Sequence, residues 1–296
     1  MFKPKLKIGF ADTHNHLASF FYYILSNRYS LELDNSNPEV LIFGDRNFGE
    51  ENLKFSRKEC VKLFYTGENQ RPQDYDCDYA ISFDHISESW HYRLPLFVIY
   101  MWALEHLHRT PFKYDHLFHL PPPAEKTDFC SFVVSNPGCS QRNEFFNLLN
   151  SYKKVDSAGK LFKNVDIDLP NEESKIEFLS KRKFNICFEA YQHPGYVTEK
   201  ILHAFYARTV PIYWGSQTID VDFNPRAFIN ANNFRSSGEL ADAVIAIDND
   251  DNLYAAIANQ PKFLYNIPTS YVILDNFLNW FDAVVNGRIE GRLNES

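Results

Sequence analysis

Short runs of apolar residues alternate with longer mixed segments along the first part of the chain. Residues 6–11, 40–43 and 61–65 are compact apolar runs of the kind that forms buried strands. Residues 17–25 and 96–108 are long and apolar enough for buried helices. Strands that alternate with helices in this way predict an α/β fold built on a parallel sheet.

The same alternation restarts after a run of three prolines that follows Leu120. Consecutive prolines fit neither a helix nor a central strand, so this run is the predicted linker. Beyond it, apolar strands at 184–188 and 210–214 flank a helix that starts near Thr198. The sequence therefore predicts an N-terminal α/β domain over residues 1–125, a second α/β domain over residues 126–268, and an amphipathic helix within residues 269–296 that packs back across both domains.

Composition narrows the class of protein. Apolar residues make up 45% of the 296 residues and charged residues 23%, which is typical of a globular chain. The 30 basic and 38 acidic residues give a net charge of −8, which disfavours a protein devoted to nucleic-acid binding. Five widely spaced cysteines without a CxxC pair favour free thiols over disulfides or a zinc site, and hence a reducing compartment.

Neither end of the chain adds a further element to this prediction. No stretch of the sequence is apolar for long enough to span a membrane, and no secretory segment is visible. Residues 289–292, Ile-Glu-Gly-Arg, match a protease recognition site that is often placed in expression linkers. We therefore assign this segment no structural role.

The segment 184–215 carries the clearest chemical signal. It reads as a strand, a loop, a helix and a second strand, and such a loop lies at the carboxyl end of a parallel sheet, where ligands bind. Glu199 and Lys200 fall in the first turn of the helix, after Thr198, a residue type typical of the N-cap. A lysine there interacts unfavourably with the helix dipole. A diphosphate bound at the helix terminus would offset this cost, because it attracts both the dipole and the lysine. The alternative is an ordinary surface Glu–Lys pair.

Several motifs in this region and before it occur in a recognisable order. Tyr-Val-Thr-Glu-Lys at 196–200 is followed by Val-Pro-Ile-Tyr-Trp-Gly at 210–215. Further segments are Tyr-Thr-Gly-Glu-Asn at 65–69, Cys-Asp-Tyr-Ala-Ile-Ser-Phe-Asp at 77–84, Arg-Leu-Pro-Leu at 93–96, Phe-Val-Val-Ser-Asn-Pro at 132–137, Asp-Phe-Asn-Pro at 222–225 and Phe-Ile-Asn at 228–230. Together they resemble the α-1,3/4-fucosyltransferases of glycosyltransferase family 10. The resemblance is strongest to bacterial members, such as those of Helicobacter, that decorate lipopolysaccharide with Lewis-type sugars.

The resemblance implies a fold and a donor site. The implied fold is α/β of the GT-B type, with two Rossmann-like domains facing a cleft and GDP-fucose, the donor substrate, bound by the second domain. Arg142 and Lys200 match the cations that neutralise the diphosphate, so neither a metal ion nor another cofactor is implied. Glu199 matches the carboxylate that binds ribose. The other matched donor contacts are Tyr196, Ser135 and Asn136.

The resemblance also implies an inverting transfer of fucose to an oligosaccharide. Glu68 matches the proposed general base, and it follows the apolar strand 61–65, where a carboxylate can take the proton of an attacking acceptor hydroxyl. The implied acceptor is N-acetylglucosamine or glucose of a lactosamine- or lactose-type sugar, fucosylated on its 3- or 4-hydroxyl. Without the resemblance, Glu68 is a loop carboxylate that caps a turn. We predict acceptor contacts from His14, His16 and Asn69.

Two features depart from the family pattern. The family usually has Asn after Phe-Glu, where this chain has Ala190, so one polar donor contact is missing. The basic, repeat-containing C-terminal tail of the family is also missing, and peripheral contact with the inner face of the membrane would run through that tail. We therefore expect a cytoplasmic enzyme, and we keep a catalytically weak sugar-nucleotide-binding protein as an alternative, because Ala190 can mark a decayed site.

A second alternative rests on Asp12-Thr13-His14-Asn15-His16, directly after the first strand. A His-x-His pair at a strand end is how metal-dependent amidohydrolases on a TIM barrel begin their metal site. Four Asp-x-Asp pairs elsewhere could in principle hold a cation, but such pairs arise easily by chance in an acidic chain. The amidohydrolase needs further ligands at later strand ends, which the sequence does not offer.

Overall fold

The computed structural model describes residues 3–108, 110–118 and 125–292. The predicted proline linker lies outside these residues. Contacts divide the chain into two compact units, the first formed by residues 1–95 together with 270–296, the second by residues 96–269. Each unit contains one parallel sheet.

The first unit is built on a six-stranded sheet in the order β2-β1-β3-β4-β5-β6, with every neighbouring pair parallel. All four residues of β3 are buried, as expected for a central strand covered on both faces. The strands are β1 (Lys5–Ala11), β2 (Ser30–Leu33), β3 (Val40–Phe43), β4 (Val61–Tyr65), β5 (Tyr79–Ser82) and β6 (His91–Arg93).

Two helices cover this first sheet, α1 (Asn15–Leu25) and α8 (Leu274–Val285). The Phe281 ring meets the Tyr29 ring edge-on at 5.9 Å, and the Tyr29 hydroxyl donates to Asp282 at 2.8 Å. The amphipathic helix predicted near the C-terminus therefore forms, and its buried face packs within the first unit.

The segment 289–292 has a defined structure, which corrects our expectation that it has no structural role. The Tyr79 hydroxyl donates to the Ile289 carbonyl at 2.8 Å, and the Arg292 amide donates to the Asp78 carbonyl at 2.7 Å. The Arg292 guanidinium donates to the carbonyls of Pro72, Gln73 and Tyr75 at 2.9–3.2 Å. A motif match had no means of showing this docking, because the partners lie some 215 residues earlier in the chain.

The second unit contains a five-stranded parallel sheet in the order β11-β10-β9-β7-β8. Buried aromatic and aliphatic residues of the sheet form a core with side chains of two helices, Phe145, Phe146 and Leu149 of one and Leu240, Ala241 and Val244 of the other. The strands are β7 (Asp128–Phe132), β8 (Val155–Ser157), β9 (Arg182–Phe188), β10 (Val210–Trp214) and β11 (Ile229–Asn230). The helices are α2 (Leu96–His106), α3 (Ser140–Tyr152), α4 (Glu172–Ser180), α5 (Glu199–Tyr206), α6 (Ser237–Asp248) and α7 (Asp251–Ala258).

Helix α2 marks a difference from the predicted domain boundary at 125/126. The Phe97 amide donates to the Val197 carbonyl at 3.3 Å, and the Tyr100 ring meets the His203 ring edge-on at 5.7 Å, so α2 belongs to the second unit. A helix that is apolar on nearly every side carries no sequence signal of which neighbour it covers.

The described part of the chain contains no helix with the length and apolar character needed to cross a membrane.

Candidate active site

The carboxyl end of β9 carries a fully buried carboxylate. Glu189 follows β9 directly, and its amide continues the sheet by donating to the Trp214 carbonyl at 2.8 Å. Its side chain accepts hydrogen bonds from the Thr198 amide at 2.8 Å and from the Thr198 hydroxyl at 2.7–2.9 Å. The Lys200 ammonium donates to the same carboxylate at 2.9 Å. The buried charge is thus paired and hydrogen-bonded, as burial requires.

Lys200 is held by two partners at the first turn of α5. Besides Glu189, the Thr198 hydroxyl accepts from its ammonium at 2.8 Å. Burial by itself would lower the pKa of Lys200, but the carboxylates of Glu189 and Glu199 outweigh it and hold that pKa above its usual value. Lys200 is therefore a fixed positive charge at the carboxyl edge of the sheet.

Glu199, the other predicted donor residue of this turn, pairs with a second cation. The Lys175 ammonium on α4 lies 3.4 Å from its carboxylate. Burial raises the pKa of Glu199, but Lys200, Lys175 and His203 together hold it well below its usual value. Its carboxylate is accordingly ionised and able to accept hydrogen bonds from hydroxyl groups.

Thr198 is the N-cap residue of α5, as predicted, yet its side chain makes no capping hydrogen bond to the helix. Its hydroxyl is turned inward to Glu189 instead. The loop before it is fixed by Gly195, whose amide donates to the hydroxyls of Ser216 and Thr218 at 2.8 and 3.1 Å. Tyr196 is buried beside this loop, with its carbonyl 3.4 Å from the Tyr213 hydroxyl.

Arg142 enters the same edge of the sheet from α3. Its guanidinium donates to the carbonyls of Phe188 at 3.3 Å and Asn136 at 2.5 Å, and only 1% of the residue is exposed. Nε is buried and has no hydrogen-bond partner among the described residues. Burial lowers the pKa of Arg142 somewhat, but a guanidinium remains charged at neutral pH.

The two predicted diphosphate cations are thus anchored on adjacent residues, Arg142 on Phe188 and Lys200 on Glu189. Ser135 and Asn136 are exposed in the loop that leads into α3, and the Asn136 carbonyl is one of the two acceptors of the Arg142 guanidinium. Ala190 follows Glu189 and is partly exposed, so the position is accessible for a polar side chain.

The first unit presents Glu68 at the carboxyl end of β4, the position predicted from the sequence. Glu68 is exposed, and its amide donates to the Thr66 hydroxyl at 3.0 Å. The Thr66 hydroxyl lies 3.3 Å from the carboxylate of Asp45, which follows the neighbouring strand β3. Both Thr66 and Asp45 are buried, so the backbone that carries Glu68 is fixed while its side chain faces outward.

Asn69, a predicted acceptor contact, is held by Arg71. The Arg71 guanidinium donates to the Asn69 side chain at 2.5 Å and forms an ion pair with Asp84. The Ser82 hydroxyl donates to Asp84 at 2.8 Å and lies 2.9 Å from the His91 ring. Burial lowers the pKa of His91 to about 3, so this ring is neutral and serves as a hydrogen-bonding group.

The residues from which the metal-site alternative starts, Asp12, His14 and His16, make other contacts in the structure. The Asp12 carboxylate accepts from the amides of Glu51 and Asn52 and from the Asn52 side chain at 2.8–2.9 Å. α1 begins at Asn15, so His14 is its N-cap and His16 lies in its first turn. Both are exposed, and the His14 ring meets the Phe48 ring edge-on at 4.1 Å.

The open parallel sheets exclude a TIM barrel, so the amidohydrolase alternative is wrong. Within residues 3–108, 110–118 and 125–292, no group of three or more His, Cys, Asp or Glu side chains is arranged to hold a metal ion.

The sequence predicted Glu199 and Lys200 in the first turn of a helix, where the structure has them, but it did not predict their ion-pair partners. Glu189, Lys175 and Arg71 were not singled out, because ion pairs between distant segments leave no local pattern. Glu189 had one available signal: an acidic residue directly after a strongly apolar strand.

Two family models match the chain. The model described as "Alpha-(1,3)-fucosyltransferase FucT N-terminal domain" matches residues 7–100. The model described as "Glycosyltransferase family 10 (fucosyltransferase) C-term" matches residues 123–259. Between them they cover most of the chain and both sheets.

Individual relatives agree with these models. The chain is 35% identical over 288 residues to alpha-(1,3)-fucosyltransferase FucT of Helicobacter pylori, a match that covers 85% of this chain and 59% of the relative. The chain thus spans about three fifths of that relative's length. It is 34% identical to human 4-galactosyl-N-acetylglucosaminide 3-alpha-L-fucosyltransferase FUT6 over 133 residues, which cover 44% of this chain and 36% of the relative.

Solved structures extend the similarity to the whole fold. A crystal structure of alpha1,3-fucosyltransferase with GDP-fucose superposes with a TM-score of 0.78 at 28% identity, covering 99% of this chain and 94% of that one. This match confirms the predicted GT-B fold class.

Proposed function

Since this chain belongs to glycosyltransferase family 10, the fucosyltransferases, we propose that it transfers fucose from GDP-fucose to an oligosaccharide with inversion at the anomeric carbon. The observation that carries the proposal is the pair of buried or half-buried cations, Arg142 and Lys200, on adjacent residues at the carboxyl end of β9. In the sequence motifs, both residues match the cations that the resemblance assigns to the diphosphate.

In this proposal the second unit binds the donor. Two N–H groups of the Lys200 ammonium are taken by Glu189 and Thr198, which leaves the third for a phosphate oxygen. Charge accumulates on the departing diphosphate during the reaction, so fixed cations stabilise the transition state more than the ground state. Glu199 accepts from the ribose hydroxyls, and Tyr196, Ser135 and Asn136 complete the donor contacts.

In the first unit Glu68 acts as general base. Its carboxylate takes the proton of the acceptor hydroxyl while the hydroxyl oxygen forms a bond to the anomeric carbon and the bond to the GDP oxygen breaks. One displacement converts a β-linked donor into an α-linked product. The fixed backbone at Thr66 and Asp45 supports this role, because a base must be held at hydrogen-bond distance from its proton.

The proposed acceptor is a lactosamine- or lactose-type sugar, fucosylated on N-acetylglucosamine or glucose through the 3- or 4-hydroxyl. His14, His16 and Asn69 are the proposed acceptor contacts. Exposed aromatic rings and a partly exposed amide are suited to a sugar, which presents both C–H faces and hydroxyls. Phe48, which touches His14, joins this set.

The reaction as proposed needs no metal ion, because the cations of the protein supply the charge that a metal would otherwise provide. We place the protein in a reducing compartment, the cytoplasm, on the ground that all five cysteines are buried free thiols. Contact with the inner face of the membrane is part of the proposal only for a longer chain that carries the family's basic tail.

A catalytically weak protein that binds a sugar nucleotide is the second candidate. Two observations favour it: Ala190 replaces the usual Asn, and the Arg142 guanidinium is bonded to two backbone carbonyls. Turnover distinguishes the two candidates, because both bind the sugar nucleotide and only the enzyme forms GDP from GDP-fucose when an acceptor is present.

The test is release of GDP from GDP-fucose with N-acetyllactosamine, lactose or lacto-N-biose, each with and without EDTA. We expect release that depends on the acceptor and is unchanged by EDTA, and the preferred acceptor then fixes the linkage. Release without any acceptor would mean donor hydrolysis. GDP binding without release would favour the weak binding protein.

A further inference from the structure

Glu189 is more deeply buried than any role in ligand contact requires. Its side chain is fully buried, while the Lys200 side chain beside it keeps 19% of its surface exposed. The carboxylate therefore lies behind the ammonium, on the side of the sheet and away from solvent. A residue so placed acts on a ligand through Lys200.

Thr198 completes a closed arrangement of three groups. The carboxylate of Glu189 accepts from the Thr198 hydroxyl at 2.7 Å, the hydroxyl accepts from Lys200 at 2.8 Å, and Lys200 donates to the carboxylate at 2.9 Å. Because the hydroxyl is used here, it does not cap α5. The first-turn amides of this helix are thus spared the usual intramolecular acceptor, and they remain suited to an anion.

Gly215 makes room for this arrangement. A Cβ atom at position 215 would lie 2.6 Å from Cγ of Glu189 and 2.8 Å from the Tyr213 hydroxyl, and the residue has a φ of +157°. The glycine that ends the Trp-Gly motif after β10 is therefore required by the side chain of Glu189. The absence of a side chain at position 215 leaves the space that the side chain of Glu189 occupies.

We propose that Glu189 is a positioning residue of the donor site, which fixes the Lys200 ammonium for the diphosphate and draws the Thr198 hydroxyl off the terminus of α5. This inference rests on the proposed function, since it assigns the work of Glu189 to donor binding. It extends that function to a residue that makes no contact with the donor.

The pH dependence of GDP binding reports the charge of Lys200, and a purely structural role of Glu189 would leave this pH dependence unchanged. The titratable groups that act on Lys200 are Glu189 after β9, Tyr196 in the loop before α5, Glu199 in the first turn of α5 and the buried Cys187 of β9, while Lys175 and His203 act on Glu199. Burial lowers the pKa of Lys200, and Glu189 is the largest opposing influence. Without the Glu189 carboxylate, that pKa falls and the lysine begins to lose its proton as the pH rises.

The experiment measures GDP binding by calorimetry at pH 7 and pH 9.5 in the wild type and in Glu189→Gln. The wild type is the reference at each pH, because the guanine base of GDP itself ionises in the alkaline range. Glu189→Gln should bind about tenfold more weakly than the wild type at pH 7, because the ammonium is misplaced. At pH 9.5 its loss relative to the wild type should be larger, because Lys200 without the Glu189 carboxylate gives up its proton more readily, and this increase is the pH dependence that the test measures. The matched control is Glu144→Gln, the same change at an exposed position of α3.

Two further variants separate positioning from packing. Combining Glu189→Gln with Lys200→Arg should remove the pH dependence, because arginine keeps its charge. Glu189→Asp, which keeps the charge but shortens the reach, should weaken GDP binding about tenfold without pH dependence, and it carries the test if Glu189→Gln does not fold.

Three outcomes would count against the inference. GDP binding by Glu189→Gln within twofold of the wild type would overturn it. So would an equal loss at both pH values, unaltered by Lys200→Arg, which would reduce Glu189 to a packing role. A folded wild type that does not bind GDP would overturn the proposed function itself, and this inference with it.

Discussion

Both units contain a parallel sheet, but the carboxyl ends of the two sheets hold their charged side chains in different ways. At β9 and β10 of the second unit, Glu189, Lys200 and Arg142 are buried or half-buried, and each charge is fixed by side-chain or backbone partners. At β3 and β4 of the first unit, the amide of the exposed Glu68 donates to the buried Thr66 hydroxyl, which in turn lies 3.3 Å from the buried Asp45 carboxylate.

This difference follows from what each edge is proposed to do. The diphosphate is anionic throughout the reaction and gains negative charge as it departs, so its site gains from cations whose position and protonation do not change. A general base must accept a proton during every turnover, so its carboxylate has to be within reach of the acceptor hydroxyl. Glu68 is exposed, and its backbone is held through Thr66 and Asp45.

The largest expected effect tests the first-unit edge. Glu68→Gln should lower kcat by about a hundredfold or more, because the amide cannot accept the proton, while GDP affinity stays within twofold of the wild type. Steady-state kinetics and calorimetry measure the two quantities. Glu32→Gln, the same change on the exposed edge strand β2, is the control. A kcat near that of the wild type would remove Glu68 from the role of base.

The next effect tests the second-unit edge. Lys200→Ala should weaken GDP-fucose binding by about 30- to 100-fold, since it removes a phosphate contact and leaves Glu189 buried without its cation. The KM for the acceptor should change less than twofold. Lys160→Ala, at an exposed position of the same unit, controls for loss of positive charge. Equal losses for donor and acceptor would instead indicate general misfolding.

A matched pair of glycines sharpens the comparison between the edges. Gly44 follows β3, where an added Cβ would lie 2.1 Å from the Asp12 carbonyl, and Gly215 follows β10, against Glu189. Substituting alanine at either position should lower the free energy of unfolding by about 1–3 kcal/mol, because the backbone or a buried side chain must shift. We expect only Gly215→Ala also to weaken GDP binding, by about tenfold. Denaturant unfolding and calorimetry measure both, and equal GDP affinity in the two variants would contradict the distinction.

The smallest expected effect concerns the family departure. Ala190→Asn should tighten GDP-fucose binding by about three- to fivefold, because the side chain restores one hydrogen bond at a partly exposed site. Competition binding with Ala190→Val, which adds comparable bulk without a polar group, separates the hydrogen bond from the added volume. No change with Asn would mean that the pocket has been rebuilt around Ala190.

Sequence pattern predicted the strands and helices of this fold well where apolar runs were long. β3, β4 and β10 have the predicted bounds, and the helix after Thr198 starts where expected. It did not predict β6, β8 and β11, which have only two or three residues each and are stabilised by pairing rather than by their own sequence. It did not predict α6 and α7 either.

The site was predicted less completely than the fold. Glu199 and Lys200 are sequence neighbours whose first-turn position could be inferred, whereas Glu189 reaches them only because a strand and a helix converge. Motif resemblance supplied Arg142 and Glu68, whose roles stay predictions. Neither pattern nor resemblance indicated that Arg142 would be bonded to backbone carbonyls, because such contacts depend on loop conformation.

The docked segment at 289–292 allows local opening of the first unit to be measured by proteolysis. A trypsin-like protease must take the Arg292 side chain into its specificity pocket, but that guanidinium is occupied by the carbonyls of Pro72, Gln73 and Tyr75. Cleavage therefore has to wait until the guanidinium leaves these carbonyls, and when opening limits cleavage its rate measures how often this happens. The protease recognition site in the sequence is therefore held closed in the folded chain, and the rate of cleavage at Arg292 reports the rate at which the segment opens.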